Sequence, residues 1–219
     1  MELHLWFSLV LICLLGAMSP GPSLALVIKN TIKGGTSQGY ATAISHGLAV
    51  GLYAAITATG IGIIIVQSPT LYSVIQYAGA AFLFYLGAKS LWAAKIELMT
   101  KKANLDAGDE SVQESDPEIR PVTEKVNGWR DGFLIAFLNP KLAIFFLALF
   151  SQFVDEGAHW TQNAIMASTV GTIDLLWYVL ITFGISRGGF IEKLKRNSVK
   201  VDIVTGIFLI LLAMRVVMS

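Results

Sequence analysis

Leu14-Leu15-Gly16-Ala17-Met18-Ser19-Pro20-Gly21-Pro22-Ser23-Leu24-Ala25 sets the tetrapeptide Ser19-Pro20-Gly21-Pro22 inside an apolar run otherwise long enough to cross a membrane. Two prolines remove two backbone donors, and Gly21 brings no side chain to hold a helical conformation. Lipid cannot replace the lost hydrogen bonds, so a break at membrane depth must be buried in protein or line a wet cavity. A second break, Asn139-Pro140-Lys141, interrupts a later apolar run. Paired interruptions in the two halves of a chain point to a transporter's binding site.

Outward from these breaks, the chain is 219 residues long, 54% hydrophobic and 14% charged, with a mean hydropathy of +0.64. That is too apolar for the surface of a soluble domain and reads as an all-α, polytopic membrane protein. The net charge of +1 is spread over loops, and no basic stripe suggests nucleic acid. Cys13 is the only cysteine, which excludes an internal disulfide and a dithiol relay. The first run lacks a basic leader and outlasts a signal-peptide core, so it is expected to stay as a membrane helix. A span needs about 20 mainly apolar residues. Six stretches qualify: 5–28, 42–66, 71–91, 132–153, 163–185 and 199–217.

Basic residues fall in alternate loops. Lys29 and Lys33 lie in the first; Lys89, Lys95, Lys101, Lys102, Arg120, Lys125 and Arg130 lie in or beside the third; Arg187, Lys193, Lys195, Arg196 and Lys200 lie in the fifth. The second and fourth loops, 67–70 and 155–162, hold none. The positive-inside rule then puts the odd loops in the cytoplasm and both termini outside. Trp6, Trp92, Trp129 and Trp160 near span ends fit interfacial anchoring, whereas Trp177 does not. The acidic, aromatic-poor stretch 93–128 reads as a cytoplasmic linker between three-helix halves, 1–92 and 129–219. Three spans per half give opposite orientations, and each half opens on a proline-broken helix, so an inverted repeat is expected.

Asp174 lies at the centre of the fifth span and Lys141 near the centre of the fourth. Either charge alone would cost at least about 2.5 kcal/mol on insertion scales, so both are expected to face the interior, each the other's obvious partner. Such a pair either locks two helices or opens and closes during transport as an ion-coupling element. His46, just inside the second span, is a packing residue or a proton relay, since imidazole titrates near neutrality. Trp177 and Tyr178 share the helical face of Asp174, and Trp177 is read as a wall of a small substrate pocket, against the plainer reading of core. Half-helix ends at Ser19, Pro20, Gly21 and Pro22, and at Asn139 and Pro140, offer amides to a carboxylate and carbonyls to an ammonium, which suits a zwitterion. Gly47, Gly51, Ala55, Ala58 and Gly62 form a smooth stripe for helix packing. No metalloprotease, phosphate-loop or nucleophile-elbow motif is present, and three histidines with one cysteine are few for a transition metal. No enzymatic activity, cofactor or resident metal is expected.

The segment Gly16-Ala17-Met18-Ser19-Pro20-Gly21-Pro22, followed by Phe137-Leu138-Asn139-Pro140-Lys141 and the run Phe145-Phe146-Leu147-Ala148-Leu149-Phe150-Ser151-Gln152-Phe153-Val154, resembles the lysine exporter / homoserine-threonine exporter (LysE/RhtB) family of bacterial inner-membrane amino-acid exporters. The resemblance spans essentially the whole chain and implies a six-helix secondary exporter moving amino acids or close analogues outward against inward proton flow. Pro20, Gly21 and Pro22 match the family's first broken helix, and Asn139, Pro140 and Lys141 its second. Ser151 stands where the family often has proline, the first loop is less arginine-rich, and the acidic linker is long. The reading is therefore proton antiport with Asp174 as coupling carboxylate, Lys141 and His46 beside it, and amino acid, protons and the lipid bilayer as partners; a homo-oligomer is left open. Export of a metal cation or other small solute, or a non-transporting scaffold, are the alternatives.

Overall fold

A computed structural model describes residues 3–19, 21–106, 126–154, 159–188 and 190–218. Among these the chain forms seven helices and no strand: α1 (Leu3–Met18), α2 (Pro22–Gln67), α3 (Pro69–Asp106), α4 (Gly128–Phe137), α5 (Pro140–Phe150), α6 (Trp160–Ser186) and α7 (Phe190–Met218). By length and apolar composition α2, α3 and α6 can each cross a membrane, and α4 with α5, bent by 54°, can form a fourth crossing. The outer surface fits that reading. Leu52, Ile56, Ile63, Phe84, Leu180 and Leu211 are exposed, as lipid-facing side chains are.

α2 is two helical arms rather than one rod. Gly35 has φ 78° and ψ 172°, a conformation that side chains with a Cβ rarely adopt. Asn30 Nδ2 donates to Thr42 Oγ1 at 2.9 Å. Twelve residues of straight helix would hold them about 18 Å apart, so the chain folds back at Gly35. The first connection is thus a single-residue turn inside 29–39, and the arm 22–34 continues beyond the first proline break. α3 runs on to Asp106, past position 92. The central part of the acidic stretch, 107–125, lies outside the described residues, as does Pro20.

Glycine sets two close helix crossings. Where the second arm of α2 meets α6, a Cβ on Gly47 would stand 2.5 Å from Leu175 Cβ and 3.0 Å from the Gly171 carbonyl. Where α3 meets α7, a Cβ on Gly87 would stand 2.7 Å from the Gly206 carbonyl, and one on Gly206 would stand 2.8 Å from that of Gly87. Small residues let the backbones approach without side chains between them. Gly47 and Gly51, from the expected smooth stripe, carry the first crossing. The core fills in around α5, where Phe145, Phe146, Phe150 and Phe153 are buried among Leu9, Ile61, Leu83 and Leu209. Phe146 and Phe150 stack with centroids 5.7 Å apart.

Candidate functional site

The two breaks end differently. α1 stops with Ser19 N donating to the Leu15 and Gly16 carbonyls at 3.1 and 3.3 Å. Gly21 then runs extended as the N-cap of α2, Pro22 takes the first helical position, and no side chain caps the new helix. The early amides of α2 therefore lack the acceptor that an N-cap side chain supplies. At the second break Asn139 is the N-cap of α5, and its Oδ1 accepts from Lys141 N at 3.0 Å. This break is capped by its own side chain; the first is not.

Beside the uncapped break the crossing of α2 and α6 brings together an ionisable pair. His46 Nδ1 donates to Asp174 Oδ2 at 2.6 Å, with His46 1% exposed and Asp174 9% exposed. The partner of Asp174 is thus His46, not Lys141. The reason lies in the packing: Asp174 follows Gly171 by one helical turn and faces α2, whereas Lys141 starts α5, which packs on α3. Lys141 is exposed and stands within electrostatic reach of Lys89 on α3 and Asp202 on α7.

Tyr178, one turn after Asp174, packs edge-on against the His46 ring at a centroid distance of 4.9 Å. Its hydroxyl meets the Ser23 side chain at the start of α2. The charge of Asp174 also acts on Cys13 of α1. The pair is therefore enclosed by α1, both arms of α2, and α6. Leu24, Val27, Ala43 and Ile181 complete an apolar wall, with Trp177 and Ile28 packed against it.

The wall is not fully satisfied. His46 Nε2, Trp177 Nε1 and Thr182 Oγ1 are buried and lack hydrogen-bond partners among the described residues. Buried polar atoms are nearly always paired, so each such atom calls for an explanation, such as a water, an ion or a functional role. With Nδ1 donating to Asp174, Nε2 of a neutral His46 is an acceptor, the form in which imidazole takes up a proton.

Of the residues singled out in the sequence, His46 and Asp174 meet directly, and Gly21 and Pro22 border the same region through Ser23. Trp177 lies in the adjoining wall, with Tyr178 rather than Trp177 on the imidazole. Asn139, Pro140 and Lys141 lie at the other break. Sequence reasoning passed over Ser23 and Asp202, and it placed Tyr178 on the face of Asp174 without making it a site residue. Asp202 satisfies the same criterion that singled out Asp174, an ionisable residue inside an apolar run; its place near the start of that run concealed it.

Comparison with known proteins agrees with this architecture. No solved structure matches the chain significantly. An uncharacterised membrane protein of Vibrio cholerae is 31% identical over 80% of this chain and 78% of its own. The Bacillus subtilis (strain 168) membrane protein YrhP is 28% identical over 90% of this chain and 89% of its own. A protein named leucine efflux protein, from Enterobacter sp. (strain 638), is 27% identical over 83% of this chain and 78% of its own. The family model for the LysE type translocator matches residues 14–219. With nearly the whole chain covered, and with apolar crossing helices in place of any catalytic motif, the protein is a membrane transporter and belongs to the LysE type translocator family.

Proposed function

We propose that this translocator is a secondary active exporter of amino acids from the cytoplasm across the bacterial inner membrane, driven by inward proton flow. The observation that carries the proposal is the buried 2.6 Å contact between His46 and Asp174 beside the uncapped start of α2. With neutral imidazole the pair holds one negative charge and can accept a substrate ammonium. A proton on Nε2 cancels that charge. Proton and ammonium then exclude one another at a single carboxylate, and this exclusion is what antiport requires. The α2 amides beyond Pro22 can receive the substrate carboxylate, as helix N-termini receive anions. Each ligand drives alternation only through its different affinity for the two states. The relatives named leucine efflux protein favour an amino-acid cargo, with leucine the first to test.

The packing supports six crossings arranged as an inverted repeat, with halves 1–92 and 129–219 joined by 93–128. In this reading α1 and the first arm of α2 form one broken crossing, and α4 and α5 form its counterpart. The second arm of α2 corresponds to α6, and α3 to α7. Taken crossing by crossing, the exchange matches the main helix contacts: α2 pairs with α6 and α3 with α7, while the α4–α5 crossing lies on α2 and α3 as α1, from its counterpart crossing, lies on α6 and α7. The alternation of basic loops puts both termini on the periplasmic side.

Amino-acid release from dipeptide-loaded cells, with and without the protein, tests the proposal. Faster release of leucine or a related class is expected, and Asp174→Asn should abolish export against a gradient. No change for any amino acid, with the protein shown to be in the membrane, would overturn the amino-acid reading. Resistance to a metal cation or another solute instead would reassign the cargo.

A further inference from the structure

A second buried carboxylate lies outside this site. Asp202 of α7 is 6% exposed, one turn before the glycine at the α3/α7 crossing. Ser90 Oγ donates to its backbone carbonyl at 2.9 Å and to its Oδ1 at 3.3 Å. Thr205, on the same face one turn later, keeps a buried hydroxyl without a partner among the described residues. The charged groups acting on Asp202 are Lys141, which opens α5 at the second break, and Glu97 of α3. Lys89 of α3 acts in turn on Lys141. Glu97 is itself engaged, accepting from Lys101 Nζ at 2.6 Å and from the Ser198 hydroxyl at 2.8 Å. α1 and α6 also touch α7. α1 has no Asp, Glu, Lys or Arg, and its titratable side chains are His4 and Cys13; the sole carboxylate of α6 is Asp174, held by His46.

Resting on the proposed antiport, we infer that Asp202 is a second proton-binding site of the transporter, with Lys141 as its countercharge and Ser90 as its hydrogen-bond donor. A structural lock between α3 and α7 would need only the Gly87 and Gly206 contact and one neutral hydrogen bond. A buried carboxylate with an exposed lysine on a neighbouring broken helix does more. When Asp202 is ionised it attracts Lys141; when protonated it loses that attraction while keeping the oxygen that Ser90 contacts. Protonation there changes the charge acting on the α4/α5 break, just as protonation at His46 changes the charge beside the α1/α2 break. Each proton-binding step then lies beside one of the two broken helices.

The test is the leucine gradient that purified full-length protein sustains in proteoliposomes under a fixed pH difference, with the membrane potential clamped to zero. Each coupled proton adds about tenfold to that gradient per pH unit. Asp202→Asn, which keeps an oxygen for Ser90, should lower the limiting gradient about tenfold at one pH unit, and Asp202→Glu should restore it. Ser90→Ala keeps the carboxylate and should leave the limiting gradient intact, but move the pH-rate midpoint upward, because the charged form loses a donor. An unchanged limiting gradient in Asp202→Asn, or an unchanged pH profile in Ser90→Ala, overturns the inference and leaves antiport at His46 and Asp174 standing. A wild-type protein that moves no leucine under any pH gradient overturns the exporter reading and this inference together.

Discussion

The crossings of α2 with α6 and of α3 with α7 are made by the same device and do different things. Each has glycine against backbone, Gly47 with Gly171 and Gly87 with Gly206, and each has a carboxylate one turn from its glycine. At the first, Asp174 is enclosed by Tyr178, Leu24, Val27 and Ile181 and takes its hydrogen bond from a fully buried imidazole. At the second, Asp202 takes a hydroxyl from Ser90 and has the Lys141 charge within electrostatic reach. Close backbone approach brings a charge into the bundle; the neighbouring side chains decide which group meets it.

The largest effect that separates the two crossings should come from His46→Ala. It strands a buried carboxylate, and breaking such a pair costs about 3–5 kcal/mol. Thermal unfolding in detergent should show the loss, together with loss of export; Ser90→Ala should leave the melting temperature far closer to wild type. A small effect of His46→Ala would mean that Asp174 is not held by the imidazole.

Next come the crossings themselves. Gly47→Ala and Gly87→Ala each push a methyl into backbone or into a Cβ that cannot yield without moving its helix. Overpacking of this kind costs about 1–3 kcal/mol. Similar losses in both variants would confirm that the two crossings share one packing rule, whereas tolerance of Gly87→Ala alone would show that α3 can slide on α7.

The two breaks make a finer contrast. Asn139→Ala removes a cap and should cost about 0.5–2 kcal/mol. Gly21→Ala should be nearly silent in stability, because Gly21 is fully extended (φ −162°, ψ −178°) and its added Cβ meets nothing closer than the Ser19 carbonyl at 3.9 Å. Melting curves check both, and a large loss in Gly21→Ala would mean that the first break is more crowded than its geometry shows. The effect changes sign at Gly60, where an added Cβ meets nothing within 4 Å. Gly60→Ala should stabilise the second arm of α2 by about 0.5–1 kcal/mol, the helix preference of alanine over glycine.

Much of this was legible in the residues. The helical membrane class followed from the hydropathy, and both breaks from their prolines. His46 and Asp174 were each singled out, but their contact was not, because they are 128 residues apart and charge alone made Lys141 the natural mate for Asp174. Tyr178 and Trp177 were indistinguishable in sequence, since positions three and four after Asp174 both neighbour it on the helix; only packing put Tyr178 on the imidazole. The first connection was legible within 29–39, where Gly34-Gly35 is followed by Thr36-Ser37; that it narrows to one non-helical residue, Gly35, was not.

By itself the sequence determined that the chain is a helical membrane protein with two interrupted helices and a few ionisable groups inside its apolar runs. Those are local properties, set by hydropathy over about 20 residues and by the missing amide of proline. The tertiary structure alone decided which buried charge meets which, that one break is capped and the other open, and that one carboxylate meets an imidazole while the other meets a serine hydroxyl. Such pairings depend on where glycine lets two distant backbones touch, and no local property of the chain records that.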